Sequence, residues 1–180
     1  MEDLTQAEKA TNAETWEHIN LVMKLLASAQ VELMRRQFTH DRSKLSDPEV
    51  SAFTKYTPML KESTYGSDQY KQFLVDMKPA LDHHYAHNRH HPEFFDDGVE
   101  GMNLFDLIEM ILDWYAASKR HDNGDVRRSI EINTERFGLS DQLVRILQNT
   151  VPWIDDEFSV PKTQRDLAHS RGLRVNRLSE

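Results

Sequence analysis

The chain contains no cysteine and no long hydrophobic run, and each absence excludes a class of protein. Without cysteine it can form neither a disulfide nor a thiolate metal site, which fits a reducing compartment. No apolar stretch approaches the roughly 20 residues of a membrane helix. The acidic start, Met1-Glu2-Asp3-Leu4, also lacks the apolar core of a signal peptide. We therefore expect a cytoplasmic protein without a membrane anchor.

Positive charge is scarce as well. The 180 residues include 22 Lys and Arg against 30 Asp and Glu, a formal net charge of -8. This balance argues against general nucleic-acid binding. It stays compatible with a small phosphorylated substrate, because a bound metal ion reverses the local sign of the charge.

The hydrophobic spacing is typical of helices throughout, and no segment shows the alternation of a strand. Ser46-Asp47-Pro48-Glu49 has the composition of a helix start. Later helices are predicted over 104–119 behind an Asn103 cap, over 126–137 closed by Gly138, and from Ser140 to a point before Pro152. The sequence therefore predicts one all-α domain over residues 1–158. A polar, Arg-rich tail over 159–180 follows, and it could reach a second subunit of a homo-oligomer.

Histidine is abundant beside carboxylates. Seven of the nine histidines fall in or upstream of one short window: His18, His40, His83, His84, His87, His90 and His91. Imidazole and carboxylate together suit a divalent metal of intermediate softness. This pattern predicts a metal-centred helical enzyme.

His18 and His40-Asp41 allow two interpretations. A straight helix would hold the two histidines about 33 Å apart, too far to share an ion. They can meet only if the chain reverses, and Ser28 is the best candidate for an N-cap at such a break. The alternative is one long helix from Asn12 to Arg36 with His18 on its surface. His40 and Asp41, being adjacent, can bind one ion only where the backbone turns at a helix end.

The histidine cluster offers two helical stripes. His84, His87 and His91 are spaced i, i+3, i+7, and His83 begins an alternative stripe with the same two partners. Five histidines cannot all be ligands, so some must orient the others. The alternative is a solvated, histidine-rich turn.

Three carboxylates, Asp106, Glu109 and Asp113, are spaced i, i+3, i+7 on the predicted helix 104–119. Asp106 fits an ordinary polar face. Asp113 lies between Leu112 and Trp114, where a carboxylate is costly unless it is paired or bound to a cation, and it is predicted as a metal ligand. Glu109 could be a ligand, an orienting acceptor or a base.

The order of His18, His40-Asp41, the later histidines and Asp113 resembles the HD superfamily of metal-dependent phosphohydrolases, whose fold is an all-α bundle. The strings at residues 40–44, 88–93 and 109–114 are also similar to those of a family of small phage and bacterial proteins that has no established substrate. If a phage encodes the chain, its compartment is the host cytoplasm.

The resemblance to the HD superfamily implies a site. The implied metal ligands are His18, His40, Asp41, His84, His90, His91 and Asp113, with Asp41 able to bridge two ions. Lys44 would lie beside the site as a cation, and Glu93 would be an orienting acceptor. Arg42 and Arg89 are candidate phosphate contacts.

Three functions follow from these expectations. The first is metal-dependent hydrolysis of a nucleotide or related phosphate ester by an activated water, with Lys44, Glu93 and Glu109 as candidate catalytic residues. The second is an HD-type di-iron oxygenase. The third is a non-catalytic, phage-type accessory protein with a structural metal. The sequence does not decide whether the site holds one ion or two. It also does not decide whether the metal is Fe, Mn, Co, Ni, Zn or Mg.

Overall fold

The computed structural model describes residues 4–63, 67–120 and 124–158, and all regular structure in these ranges is helical. The helices are α1 (Gln6–Thr39), α2 (Glu49–Glu62), α3 (Asp68–Asp76), α4 (Lys78–His87), α5 (Leu104–Ser118), α6 (Val126–Phe137) and α7 (Asp141–Phe158). Short 3-10 helices span Arg42–Leu45, Pro92–Phe94 and Gly98–Gly101. The all-α prediction is confirmed. The predicted tail over 159–180 lies outside the described residues.

The chain divides into two compact units between Glu109 and Met110, within α5. The first unit contains α1 to α4, the 3-10 helices and the start of α5, and the second contains the rest of α5 with α6 and α7. A single domain over 1–158 stays a prediction. Within the described ranges, no helix has the combination of length and apolarity that crossing a bilayer requires.

Helix α1 runs for 34 residues without interruption. It begins with a capping box, in which Thr5 Oγ1 accepts from the backbone N of Glu8 at 3.3 Å and Glu8 Oε2 accepts from the backbone N of Thr5 at 2.7 Å. Of the two interpretations that the sequence left open, the unbroken helix is confirmed, with ends beyond Asn12 and Arg36, and the break at Ser28 is excluded. Ser28 Oγ donates to the carbonyl of Lys24 at 3.1 Å inside the helix, and no glycine or proline interrupts residues 6–39.

Helix α4 ends at His87, earlier than the histidine pattern suggests. Asn88 leaves the helix in an extended conformation, with φ -127° and ψ 103°. Its Nδ2 donates to the carbonyl of His84 and to Ser43 Oγ, each at 2.8 Å, which fixes the departing chain. Both predicted stripes that include His91 are therefore wrong, because His91 follows a chain reversal and not another helical turn.

In the second unit, α6 and α7 pack together. Helix α7 follows Ser140, whose Oγ accepts from the backbone N of Leu143 at 3.3 Å, as the predicted cap requires. The predicted end before Pro152 is wrong, because α7 continues through Pro152 to Phe158. Val151 and Ile154 are buried on both sides of the proline, and this packing stabilises the helix through Pro152.

Candidate metal centre

The centre begins where α1 ends. His40 is the C-cap of α1, and Asp41 takes a left-handed conformation with φ 56° and ψ 11° before the Arg42–Leu45 turn. Asp is one of the few residues besides glycine that adopt this region with little penalty. The prediction that the His-Asp doublet lies at a helix end is confirmed.

Four side chains converge in the first unit: Asp41, His84, His90 and His91. One donor atom from each lies within 4.8 Å of the others. Asp41 Oδ1 is 3.3 Å from His84 Nε2 and 3.5 Å from His90 Nε2, and the Nε2 atoms of His84 and His91 are 2.9 Å apart. His84 and His90 are buried. The group presents three imidazole nitrogens and one carboxylate oxygen to a common point.

A buried carboxylate contacts His84 of this group and the neighbouring His83. Glu49, at the first turn of α2, is fully buried, with Oε2 2.9 Å from His84 Nδ1 and Oε1 2.7 Å from His83 Nδ1. Burial raises the pKa of Glu49, but hydrogen bonds with His83 and Ser43 and the charge of His84 outweigh it and lower the pKa. The ionised carboxylate holds His84 so that its Nε2 faces the centre.

Glu109 orients two more imidazoles. Its Oε1 is 2.9 Å from His40 Nδ1 and 3.2 Å from His90 Nδ1, while its Oε2 accepts from Arg36 Nη1 at 3.0 Å. Burial raises the pKa of Glu109, and the bonds from His40, His90 and Arg36 outweigh it, so the pKa lies well below its usual range. Of the roles predicted for Glu109, this geometry fits the orienting acceptor.

Asp41 Oδ1 and His90 Nε2 are buried and make no hydrogen bond among the described residues, although Asp41 Oδ1 lies 3.3 Å from His84 Nε2 and 3.5 Å from His90 Nε2. Buried polar atoms are normally paired, so this pair of atoms needs an explanation. A cation at the common point would satisfy both. The donor set of three imidazoles and one carboxylate fits a first-row transition metal or zinc.

Asp41 is ionised in this setting. Burial raises its pKa, but the interaction with His84 and the ammonium group of Lys44 outweigh burial, so the pKa lies well below its ordinary value. Lys44 Nζ is 2.6 Å from Asp41 Oδ2. Lys44 therefore lies beside the centre, where the sequence suggested a cation, and its catalytic role stays a prediction.

His18 is the clearest correction. It is exposed on α1, 22 residues before His40 along an unbroken helix. At 1.5 Å per residue the two positions are about 33 Å apart, so they cannot share an ion within one chain. The predicted ligand role of His18 beside His40 is wrong.

The other predicted residues are placed as follows. Asp113 belongs to the second unit, and its ligand role stays a prediction. Glu93 is exposed in the Pro92–Phe94 turn, and Arg42 is exposed with Nη1 donating to the carbonyl of Phe38 at 3.4 Å. The roles of Glu93 and Arg42 also stay predictions.

Asp106 does not lie on an ordinary polar face, and that prediction is wrong. It is fully buried, with Oδ1 2.8 Å from Arg36 Nη1 and Oδ2 3.1 Å from Arg89 Nη2. Oδ2 also accepts from the backbone N of Asn103 at 2.9 Å, and Asn103 Oδ1 caps α5 in return. Asp106 and Glu49, like Arg36, carry no readable site signal in the sequence, because only the tertiary fold supplies their partners.

A cleft of about 330 Å³ opens on the His40 and His90 side of the centre. It is lined by Glu32, Arg35, Arg36, Thr39, His40, His87, Asn88, Arg89, His90 and Glu109. Three arginines and two glutamates line it, and Arg36 and Arg89 are bound to carboxylates. Arg35, whose side chain is 76% exposed, is the cation of this wall that can turn towards an anionic small molecule.

Fold and site together define an all-α protein with a carboxylate and imidazole centre that is able to hold a metal ion. The chain belongs to a family of unknown function, DUF5662, whose model matches residues 7–152. Neither the curated proteins nor the solved structures gave a match. The HD superfamily therefore stays a resemblance, and the exclusion of His18 removes one element of its signature from within the chain.

The orienting role of Glu49 leads to a first prediction. We expect Glu49→Gln to weaken Zn²⁺ binding by about 10–100-fold, because the amide holds His84 less firmly and makes its Nε2 a poorer donor. Calorimetric titration of the metal-stripped protein measures this change. Glu62→Gln, an exposed exchange on the same helix, is the matched control. Equal Zn²⁺ affinities for the two variants would contradict the role assigned to Glu49.

Proposed function

We propose that this protein is a divalent-metal-dependent hydrolase of a small phosphate ester, with nucleotides as the leading substrate class. The supporting observation is that His90, one of the four residues of the centre, also lines the cleft that contains Arg35, Arg36 and Arg89. A catalytic site keeps a position for water and substrate, whereas four protein ligands close a tetrahedral site. The proposal therefore requires that only three of the four residues bind the ion, or that the ion takes more than four ligands, as Mn²⁺ and Mg²⁺ do.

Asp41, His84, His90 and His91 are the residues that would hold the ion. A divalent ion bound by such residues lowers the pKa of a bound water towards neutrality and polarises a phosphoryl oxygen. The carboxylates of Glu49 and Glu109 keep the imidazoles turned towards the centre. Because these partners are buried or half-buried, the donor set is preorganised.

The arginines of the cleft would bind the phosphate group. Arg89 is fixed, since its Nε and Nη2 bind Asp106 at 3.2 and 3.1 Å and its guanidinium carbon lies 4.8 Å from the centroid of the Phe95 ring. The Arg35 side chain is 76% exposed, and its nearest carboxylate oxygen, on Glu32, is as far as 4.0 Å away. Arg35 is therefore weakly held and can turn towards a ligand. Lys44 supplies further positive charge beside Asp41.

The proposal is tested by phosphate release. Metal-stripped protein is reloaded separately with Mn²⁺, Co²⁺, Zn²⁺ or Mg²⁺ and given nucleoside mono-, di- and triphosphates. We expect metal-dependent release of phosphate that is lost in His90→Ala and kept in Asp82→Asn, an exposed exchange on α4. Oxygen consumption with Fe²⁺ and no phosphate release would contradict the proposal and favour the oxygenase alternative. Unfolding on chelation without any turnover would favour a structural metal.

The role of Arg35 gives a separate prediction. We expect Arg35→Ala to raise KM for a phosphate substrate by about 10-fold with little change in kcat, since it removes charge that binds ground state and transition state alike. Arg145→Ala, at an exposed arginine in the second unit, is the control. Steady-state kinetics at fixed metal concentration measures both constants. An unchanged KM would remove Arg35 from the binding wall.

A further inference from the structure

Helix α1 exposes more apolar surface than a monomer normally does. None of its residues is buried. Ten large apolar side chains from Trp16 to Phe38 are exposed, including Trp16 at 60%, Met23 at 61% and Leu26 at 60%. The six that share one side of the helix, Trp16, Ile19, Met23, Leu26, Met34 and Phe38, present on the order of 700 Å², whereas the largest patch of a typical monomer is about 300–600 Å². A standard interface buries about 800 Å² per partner, so this side of α1 is close to the size of a stable contact.

The spacing of these side chains is that of a helix-pairing seam. Trp16, Ile19, Met23 and Leu26 are separated by three, four and three residues, the repeat by which two helices pack side by side. Met34 and Phe38 continue the same side of α1. The partner that matches a 34-residue helix with this repeat is another long helix with the same pattern.

We propose that α1 pairs antiparallel with α1 of a second copy of this chain along this seam. Charge decides the direction. The exposed charges in the first half of α1 are mainly acidic, with Glu8, Glu14 and Glu17 against Lys9, whereas the end of α1 and the turn after it expose Arg35 and Arg42. An antiparallel pair sets acidic against basic at both ends, whereas a parallel pair would set acidic against acidic.

The middle of the seam suits a crossing point. At the axial level of Ala27 and Ser28, halfway between Trp16 and Phe38, the seam side carries the small side chain of Ala27, which lets two helices approach closely. Of the α1 residues of the cleft, Glu32 and Thr39 lie on roughly the opposite side of the helix from Met23 and Leu26, and Arg35 lies between the two sides, at 3.6 residues per turn. The pair therefore leaves the cleft open in both copies.

Light scattering coupled to size exclusion measures the mass of the full chain. We expect about twice 21.1 kDa at micromolar concentration. Leu25 and Leu26 provide a matched pair, because they are adjacent and equally exposed, at 61% and 60%, yet point about 100° apart. Leu26→Glu should give a monomer and Leu25→Glu a dimer, with equal helicity by circular dichroism. A monomeric wild type, or a dimeric Leu26→Glu, would overturn the proposal.

Direction is tested separately by distance. Since the chain has no cysteine, Glu17→Cys introduces a unique site for a spin label. In an antiparallel pair centred on Ser28 the two labels are 22 residues apart along the axis, about 33 Å. A parallel pair would bring them within about 20 Å, because paired helix axes are only 8–10 Å apart. A distance within about 20 Å between the labels would overturn the antiparallel arrangement, and this result does not depend on the Leu26→Glu variant.

Discussion

Asp41→Asn is expected to abolish tight binding of a divalent ion. Asp41 supplies the anionic donor of the four-residue group, and the charge of an ionised carboxylate is what a neutral amide lacks. The loss should exceed the 10–100-fold that follows removal of an orienting partner, because a ligand itself is changed. Asparagine has nearly the same shape and also tolerates the left-handed backbone at φ 56°, so the turn after α1 should form normally.

Elemental analysis of protein purified without a tag, followed by metal titration, measures this effect. Wild type is expected to carry metal and Asp41→Asn almost none, with circular dichroism showing equal helix content. Asp82→Asn makes the same chemical exchange at an exposed carboxylate of α4 that pairs with Lys78, and it should retain wild-type metal. If Asp41→Asn bound the ion as tightly as wild type, the centre described for the first unit would not be the metal site.

Where contacts within a few residues determine a helix end, the sequence was sufficient to predict it. Helix α6 spans Val126–Phe137 and is closed by Gly138 in the left-handed conformation at φ 62°, as predicted. The Asn103 cap and the start of α5 at Leu104 were likewise predictable, since Asn103 Oδ1 accepts from the first free backbone N–H groups. In each case the determining contacts are within a few residues.

The course of α1 was not predictable in this way. Ser28 is a good N-cap and also a tolerated helix residue, and its hydroxyl here bonds to the Lys24 carbonyl one turn back. Nothing local separates these two outcomes. The apolar residues around it favour helix in either case, so the sequence left both interpretations open until the structure excluded the break.

The sequence singled out the segments of the candidate site, but not which of their side chains converge. The doublet His40-Asp41 and the window from His83 to His91 were conspicuous because histidine is an uncommon residue in most proteins, and here five histidines fall within nine positions. Which histidines converge depends on the reversal after His87, and Asn88 fixes that reversal through Ser43, 45 residues away. A contact of that range leaves no periodic trace in the sequence.

The candidate metal centre and the start of α5 share one arginine. Arg36 Nη1 binds both Glu109 Oε2 at 3.0 Å and Asp106 Oδ1 at 2.8 Å. Burial lowers the pKa of Arg36, but its bonds to Asp106, Glu32 and Glu109 outweigh burial and raise the pKa. Asp106 thus fixes the arginine that fixes Glu109, and through Glu109 it supports His40 and His90. The stability of this network and the geometry of the centre are therefore linked.

Asp106→Ala is expected to destabilise the protein by about 3 kcal/mol. Removing one partner of a buried ion pair typically costs about 3–5 kcal/mol. The lower end applies, because Arg36 keeps Glu109 as a partner and the Arg89 side chain is 45% exposed. Asp82→Ala, which breaks an exposed pair with Lys78, should cost less than about 0.5 kcal/mol. Urea denaturation gives both free energies of unfolding.

The pH dependence of the Asp106→Ala effect has a definite sign. Burial raises the pKa of Asp106, but bonds from Asn103, Arg89 and Arg36 outweigh it and lower the pKa in the folded state. A carboxylate with a lowered pKa contributes stability above its unfolded pKa of about 3.9 and loses it as the pH falls towards the folded value. The difference between wild type and Asp106→Ala should therefore be full at neutral pH and shrink below about pH 4. A difference that is as large at about pH 3 as at neutrality would show that lost packing, and not the buried charge pair, accounts for the cost.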